Sequence, residues 1–354
     1  MATSQQPRLA FLDRFLPLWI ILAMVLGLLI GHFLPGIGNA LSALEIGGIS
    51  LPIALGLLVM MYPPLAKVRY EKTREIATDR RLMTVSIVLN WLVGPAFMFV
   101  LAWLFLADQP ELRTGLIIVG LARCIAMVLV WSDLSCGDRE ATAVLVAINS
   151  VFQVAMFGVL GWFYLQILPG WLGLDTTSVE FSFWSIVTSV LVFLGIPLLL
   201  GIISRVWAEK TKGREWFESR YLPAVSPLAM IGLLYTIVLL FSLQGEQLVE
   251  QPIAVVRVAV PLMLYFVGMF FLALGVAKAV GMNYAQSASV AFTAAGNNFE
   301  LAIAVSIGTF GATSAQALAG TIGPLVEIPV LVGLVYVMLW IGPKLFPGDR
   351  TLPN

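Results

Sequence analysis

Residues 120–128 of this chain read Gly120-Leu121-Ala122-Arg123-Cys124-Ile125-Ala126-Met127-Val128, and a second polar run, Asn297-Asn298-Phe299-Glu300, stands in another apolar stretch. The chain around them is 60% hydrophobic and only 11% charged over 354 residues. Soluble domains carry about 25% charged residues, so this composition indicates a polytopic membrane protein. A polar or ionisable side chain at bilayer depth costs roughly 3 kcal/mol, which favours a functional role for both runs.

The hydropathy of the chain predicts ten spans, because a helix needs about 20 apolar residues to cross about 30 Å of hydrocarbon. The first span is followed by no clear small-residue cleavage site, so we expect it to be retained and not to act as a signal peptide. The predicted fold class is an all-α polytopic membrane protein. The spans cover residues 16–34, 47–66, 82–106, 113–132, 141–168, 183–204, 222–243, 254–279, 284–308 and 314–342.

The distribution of basic residues predicts the orientation, because Lys and Arg gather in cytoplasmic loops. We expect both termini in the cytoplasm, a plasma membrane (the inner membrane in a bacterium), contact with membrane lipid, and no nucleic acid partner. Loops on the basic side hold Arg8, Arg14, Lys67, Arg69, Lys72, Arg74, Arg80, Arg81, Arg139, Arg205, Lys210, Lys212, Arg214, Arg220, Lys278, Lys344 and Arg350. The opposite loops hold mainly Glu45, Asp108, Glu111, Arg113, Asp175, Glu180, Glu246 and Glu250.

An internal repeat emerges when the two halves are aligned with an offset of 174 residues. Trp91-Leu92-Val93-Gly94 then falls on Tyr265-Phe266-Val267-Gly268, and Arg123-Cys124 falls on Asn297-Asn298. Five spans per half is an odd number, so the second half lies upside down relative to the first. Such inverted repeats are typical of secondary transporters, whose sites lie near the midplane at broken helices. Chance similarity is the alternative explanation.

We therefore predict one integral membrane domain, with a first five-helix repeat in residues 1–170 and a second, inverted repeat in residues 171–354. Spans 4 and 9 are expected to be discontinuous and crossed. In span 9, Gly296 and two asparagines combine low helix preference with amides that can satisfy freed backbone groups. Span 4 contains no proline, so its break is inferred chiefly from the repeat.

Cys124 is the first candidate site residue. A buried cysteine often serves only as a small hydrophobe. Here Arg123 stands beside it, and a neighbouring cation favours the reactive thiolate. The second cysteine, Cys136, is interpreted as a loop residue, and the single histidine, His32, as an interfacial one. One histidine excludes a relay or metal site built from histidines.

The runs at 120–128 and 297–304, together with Trp131-Ser132-Asp133-Leu134 and residues 323–330, closely resemble the arsenite efflux permeases of the bile acid, arsenite and riboflavin transporter superfamily. The resemblance covers essentially the whole chain. It implies a ten-span permease that expels arsenite, and in some members antimonite, in exchange for protons. It also implies that a thiol and a carboxylate are required, which map onto Cys124 and Glu300.

The chemistry of arsenite fits this assignment. Its soft trivalent arsenic bonds thiolates, while its hydroxyls can hydrogen-bond to amides and carboxylates. A single thiol, Cys124, suits a site that must also release its ligand. We expect polar neighbours to complete the substrate site, although each is also compatible with packing or interhelical contacts. They are Arg123, Asn90, Trp131, Asn149, Asn297 and Asn298.

Two glutamates are candidates for proton coupling. Burial favours the protonated form of Glu300, whereas a nearby arginine favours its carboxylate, and the sequence does not decide between them. As a hypothesis, Arg123 pairs with ionised Glu300 across the crossing, and proton entry breaks the pair and permits outward release of the substrate; the alternative is a structural ion pair that joins the two repeats. Glu327 corresponds to Gln153 in the repeat. It is a second proton carrier or satisfies backbone groups at the break.

Other classes of function fit less well. We expect no enzyme, because there is no Ser-His pair and no Gly-x-Ser-x-Gly elbow. No Walker motif is present, and no cofactor is implied. The main alternative is a sodium-coupled organic anion symporter of the same superfamily, which would tolerate Cys124→Ser; a ligand-binding receptor is a third class. Antimonite transport, proton stoichiometry, the moving helices and homo-oligomerisation are left open.

Overall fold

The computed structural model is almost entirely helical. It describes residues 16–34, 36–37, 41, 43–46, 49–67, 79–125, 127–174, 183–250, 252–311 and 313–352. A short antiparallel ladder, β1 (Glu45–Ile46) with β2 (Ile49–Ser50), precedes the second helix. Twelve helices lie in the described part of the chain: α1 (Leu16–Phe33), α2 (Leu51–Lys67), α3 (Arg80–Phe105), α4 (Pro110–Leu121), α5 (Met127–Leu134), α6 (Arg139–Trp171), α7 (Phe183–Lys212), α8 (Arg214–Glu250), α9 (Pro252–Ala279), α10 (Tyr284–Ala295), α11 (Phe299–Phe310) and α12 (Ala315–Leu345).

Six of the described helices, α3, α6, α7, α8, α9 and α12, are long and apolar enough to cross a membrane. Large apolar side chains such as Leu104 (71% exposed) and Ile203 (60%) point outward from them, which suits a lipid environment. The chain is therefore a multi-pass membrane protein. Helix occupies each of the ten predicted spans, with α4 and α5 in span 4 and α10 and α11 in span 9. That all ten cross the bilayer stays a prediction.

Some residues that entered the sequence predictions lie outside the described ones. Both termini are among them, so the prediction that the termini are cytoplasmic falls on residues outside the described part of the chain. The others are Arg8, Arg14, Arg69, Lys72, Arg74, Ala126, Asp175 and Glu180, and the side chains of Glu45, Glu246 and Glu250.

Two helix interruptions define the centre of the fold. α4 ends at Leu121, and Ala122 is extended (φ −82°, ψ 113°). α10 ends at Ala295, and Gly296 is likewise extended (φ −72°, ψ 147°). The two extended segments pair in an antiparallel bridge between Arg123 and Asn297. Spans 4 and 9 are thus both interrupted, and the interruptions are hydrogen-bonded to each other.

The helices around the crossing follow the sequence repeat. α4 and α10 begin at positions 110 and 284 and end at 121 and 295, so both bounds differ by 174. α1 and α2 pack against α8, and α2 also packs against α7. α3, α4, α6, α9, α10, α11 and α12 pack around the two breaks. The crossing therefore lies inside the protein and away from lipid.

Candidate functional site

Arg123 is wholly buried at the break between α4 and α5. Its main-chain N–H donates to Gln153 Oε1 (2.9 Å), and its Nη1 donates to the hydroxyl of Tyr265 (2.7 Å). Nη2 donates to the carbonyl of Gly120 at the end of α4. That carbonyl is one of the unpaired acceptors at the negative end of the helix, so it suits a cation.

Cys124, the next residue, has 2% of its surface exposed. Its Sγ accepts the main-chain N–H of Val128 (3.3 Å), so the thiol lies at the N-terminal end of α5. A helix N-terminus stabilises negative charge on sulfur. A Cβ atom on Gly296 would lie 3.5 Å from Sγ, so glycine keeps space beside the thiol. Cys124 and Cys136 are not joined by a disulfide.

Asn297 and Asn298 form the opposite strand of the crossing. The main-chain N–H of Asn298 donates to the carbonyl of Ala122 (3.0 Å). Its side-chain Oδ1 accepts the N–H of Leu301 (3.0 Å) and caps α11. The Asn297 side chain is 2% exposed, and neither its Oδ1 nor its Nδ2 has a hydrogen-bond partner. An amide buried in this state is available to a ligand or to water.

Gln153 and Glu327 occupy matching places on either side of the crossing. Gln153 of α6 accepts the main-chain N–H of Arg123. Glu327 of α12 lies against the main-chain N–H of Asn297. The two pairs are again 174 positions apart, since 327 − 153 = 297 − 123 = 174. One half of the protein therefore carries a neutral amide where the other carries a carboxyl group.

Glu300 lies in the first turn of α11, where a helix N-terminus favours negative charge. It is partly exposed, whereas Glu327 is only 5% exposed. The two carboxyl groups are close enough to interact electrostatically. The predicted ion pair between Arg123 and Glu300 is wrong for this conformation. Among the described residues no salt bridge joins them, because the guanidinium group points to Tyr265 and Gly120.

The other predicted lining residues flank the crossing on α3, α5 and α6. Trp91 Nε1 donates to Asn149 Oδ1 (3.1 Å), and Asn90 Nδ2 donates to the carbonyl of Ser86 (2.8 Å). Trp131 of α5 is 2% exposed. Asn90 and Asn149 thus make interhelical or local contacts, and each keeps one polar atom without a partner.

Unpartnered polar atoms are concentrated in the sequence elements that form the crossing. Native interiors leave few such atoms, so a group of them indicates a site that takes up water or ligand. In the described part of the chain they include Asn90 Oδ1, Arg123 Nε, Trp131 Nε1, Asn149 Nδ2, Gln153 Nε2, Asn297 Oδ1 and Nδ2, Asn298 Nδ2 and Glu327 Oε1. The described residues contain no group of three or more His, Cys, Asp or Glu that could hold a metal ion.

Besides Gln153, which entered only as the repeat counterpart of Glu327, the sequence predictions missed Tyr265. It is fully buried on α9, and the repeat pairs it with Trp91, which makes its own side-chain hydrogen bond across helices. A hydroxyl in an otherwise apolar run of α9 was the available signal.

Comparison with known proteins points to the same family as the residues at the crossing. Residues 54–251 match the Sodium Bile acid symporter family. The arsenical-resistance protein Acr3 of Corynebacterium glutamicum is 78% identical over 351 residues, covering 99% of this chain and 95% of the relative. This chain belongs to the arsenite permease family, the Acr3 type, of the bile acid, arsenite and riboflavin transporter superfamily.

Two further relatives extend across the same length. The Acr3 protein of Alkaliphilus metalliredigens is 33% identical over 339 residues, covering 93% of this chain and 92% of its own. An uncharacterised transporter of Synechocystis is 34% identical over 344 residues, covering 92% and 88%. Acr3-type membership places the chain among transporters.

Proposed function

We propose that this chain exports arsenite from the cytoplasm in exchange for protons. The observation that carries the proposal is the position of the Cys124 thiol at the paired break of two half-helices, among buried polar atoms that lack partners. The two Acr3 relatives, which are named for arsenical resistance, support the same substrate.

Cys124 supplies the arsenic ligand in this scheme, because trivalent arsenic is soft and prefers sulfur. The unpartnered amide atoms of Asn149, Asn297 and Asn298 are then available to the hydroxyl groups of arsenite. Asn90, Trp131 and Arg123 complete the polar wall. Trivalent antimony has the same preference for sulfur, so antimonite is a second substrate of this chemistry.

Glu300 and Glu327 carry the protons in the same scheme. Both carboxyl groups lie at the crossing, and Glu327 touches the backbone of Asn297. A proton on either group would change the charge beside the substrate and the hydrogen bond at the break. Protonation and arsenite binding would thus be coupled through one short segment of α11 and its extended start.

Alternating access by two inverted five-helix repeats, residues 1–170 and 171–354, completes the proposal. Three matches at the same offset of 174 support it: the bounds of α4 and α10, the pairing of Gln153 and Glu327 with backbone N–H groups, and the capping of the following half-helix by Cys124 and Asn298. The substrate site then lies near the pseudo-two-fold axis of the repeats.

The proposed membrane is the plasma membrane, with both termini in the cytoplasm, on the strength of the basic loops. A cysteine in place of the exposed Lys212 tests this orientation. In a Cys136→Ser background, a membrane-impermeant thiol reagent should label it in everted vesicles and not in intact cells. Labelling in intact cells would reverse the assignment.

Uptake of radioactive arsenite into everted membrane vesicles tests the function. An imposed proton gradient should drive uptake in the wild type, and Cys124→Ser or Glu300→Gln should reduce it to the level of empty vesicles. Cys136→Ser is the matched control, since it removes the other thiol and should transport normally. Sodium-driven uptake that survives Cys124→Ser would instead support the organic anion symporter.

A further inference from the structure

Arg123 has an unusual environment for a buried cation. It is 0% exposed, and no carboxylate forms a salt bridge with it among the residues that the structure describes. A buried charge without a charged partner is unfavourable unless dipoles and hydrogen bonds compensate it. The acceptors of its two Nη groups, the Tyr265 hydroxyl and the Gly120 carbonyl, therefore supply this compensation.

Gly94, Gly120 and Tyr265 surround the Arg123 guanidinium group, and we call these three residues the socket. A Cβ atom on Gly94 of α3 would lie 2.7 Å from Arg123 Nη1 and 2.9 Å from the Tyr265 hydroxyl, so only glycine fits there without displacement. The Tyr265 ring stacks on Phe97, with ring centroids 5.9 Å apart. The Arg123 Cζ lies 5.8 Å from the Tyr265 ring centroid, within the range of a cation–π contact. The tyrosine is thus itself held in place.

We propose that Tyr265 is a positioning residue, which holds the Arg123 guanidinium group away from Glu300 and Glu327 and so leaves these carboxyl groups able to exchange protons. This inference rests on the proposed arsenite/proton exchange and deepens it. Without the tyrosine hydroxyl, one N–H of a buried guanidinium group loses its acceptor. An ionised carboxylate can replace this acceptor. A charge-assisted hydrogen bond from the guanidinium group to a carboxylate would be stronger than the hydrogen bond to the tyrosine hydroxyl.

In the described part of the chain, the charged and titratable groups near this arrangement lie at the break itself and on α6, α11 and α12. Tyr164 of α6 lies close enough to Arg123 for a charge interaction. The Cys124 thiol belongs to the residue that follows Arg123. Glu327 of α12 faces Glu300. The nearby parts of α2 and α7, residues 51–61 and 183–204, contain no charged residue, tyrosine or cysteine. Arg123 pairs through its backbone with Asn297, whose N–H lies against Glu327, so in this proposal a released arginine turns to Glu327 or to the neighbouring Glu300.

The experiment is the pH dependence of arsenite uptake by purified protein in proteoliposomes, with the same pH on both sides. Pairing with Arg123 stabilises an ionised carboxylate, so more acid is needed to protonate it. In Tyr265→Phe, the pH above which uptake falls to half its maximum should move down by about one unit, the size of effect typical of a nearby opposite charge. A merely structural role would lower uptake at every pH without moving this midpoint.

Tyr284→Phe is the matched control. Tyr284 is equally buried, and its hydroxyl donates one hydrogen bond to the Ser135 carbonyl (2.8 Å) at the far end of α10. It should keep the wild-type midpoint. Gly94→Ala places a methyl group from α3 against both Arg123 and Tyr265. It should shift the midpoint in the same direction as Tyr265→Phe, and it replaces Tyr265→Phe as the test if that variant does not fold.

An unshifted midpoint in the folded socket variants overturns the role of Tyr265 while arsenite/proton exchange stands. A wild type that moves no arsenite overturns the proposed function, and this inference with it.

Discussion

Cys124 and Asn298 sit at equivalent positions of the two halves, and each accepts a main-chain N–H from the half-helix that follows it. The thiol therefore has a local structural duty besides its proposed chemistry. Serine can also accept such a hydrogen bond, because its oxygen is a better acceptor than sulfur. Loss of arsenite uptake in Cys124→Ser would then report on sulfur chemistry and not on unfolding of α5.

Asn298→Ala tests the cap directly. It removes the acceptor for Leu301 N–H and should lower the free energy of unfolding by about 1 kcal/mol. Asn298→Ser keeps a neutral acceptor at this buried position and is the matched variant. Thermal unfolding of the detergent-purified proteins should show a lower midpoint for Asn298→Ala than for Asn298→Ser. Equal midpoints would mean that the cap contributes nothing to stability.

The sequence predicted which residues lie at the crossing better than it predicted their contacts. Residue type and repeat position pointed to Arg123, Cys124, the two asparagines and Glu300, and their chemical roles stay predictions. The direction of the Arg123 side chain was not predictable, because it depends on Gly94 and Tyr265, which come from distant helices. An arginine and a glutamate at one crossing favour an ion pair on charge alone, and the socket overrides that preference.

At the scale of elements, glycines allow α8 to approach its neighbours closely. A Cβ atom on Gly56 of α2 would lie 2.4 Å from Thr236 Oγ1 and 2.8 Å from the Tyr235 ring. On α1, a Cβ on Gly27 would lie 2.6 Å from the Val238 carbonyl oxygen. Small residues at helix interfaces let backbones approach and form the packing contacts that hold membrane helices together.

Gly56→Ala should therefore destabilise the protein by about 1–3 kcal/mol through overpacking between α2 and α8. Gly275→Ala on α9 is the control, since among the described residues no atom outside its own helical turn lies within 4 Å of the added Cβ. The thermal unfolding midpoint should fall for Gly56→Ala and stay level for Gly275→Ala. Two unchanged midpoints would show that α2 and α8 can separate without cost.

The start of α10 is capped by residues beyond α12. Asp349 Oδ2 accepts the N–H of Tyr284 (2.7 Å), and Thr351 Oγ1 accepts that of Ala285 (3.2 Å). The Asn283 side chain accepts the N–H of Gln286 (2.8 Å). The first three N–H groups of this half-helix thus have partners. The end of the described chain therefore anchors one of the two helices that form the crossing.

This cap predicts a pH dependence of stability. Burial alone would raise the pKa of Asp349, but hydrogen bonds from the main chain and hydroxyl of Thr351 and from the N–H of Tyr284 lower it overall. A carboxyl group whose pKa is lower in the folded state stabilises the protein fully above its ordinary pKa of about 4 and loses that effect as the pH falls further.

In detergent, the wild type should lose thermal stability more steeply than Asp349→Asn as the pH falls from about 5 to about 3, one unit on either side of the ordinary pKa of aspartate. Identical slopes would remove Asp349 from the acid response.

Element positions were largely predictable, because span length and hydropathy follow from the thickness of the bilayer. The break of span 9 has a local cause in Gly296 and two asparagines. The break of span 4 has no proline, and only the repeat indicated it. Its cause is a tertiary contact, because the extended segment at Arg123 pairs with Asn297. The residues next to Arg123 in the chain do not predict that pairing.

At the scale of the whole molecule, the two halves match in helix bounds and in backbone contacts but differ in charge. Gln153 faces one break and Glu327 the other. A symmetric carrier with two amides would have no group to titrate at these positions. Under the proposed function, the carboxyl groups of one half, Glu300 and Glu327, couple proton movement to arsenite movement at the crossing.

Counterflow of protons in proteoliposomes tests this claim most directly. An arsenite gradient is imposed without a proton or sodium gradient, and an enclosed pH-sensitive dye reports proton movement while radioactive arsenite is counted. Protons should move opposite to arsenite in the wild type, and the proton signal should vanish in Glu300→Gln. Arsenite movement in the wild type with no change of internal pH would mean that the protein does not exchange arsenite for protons.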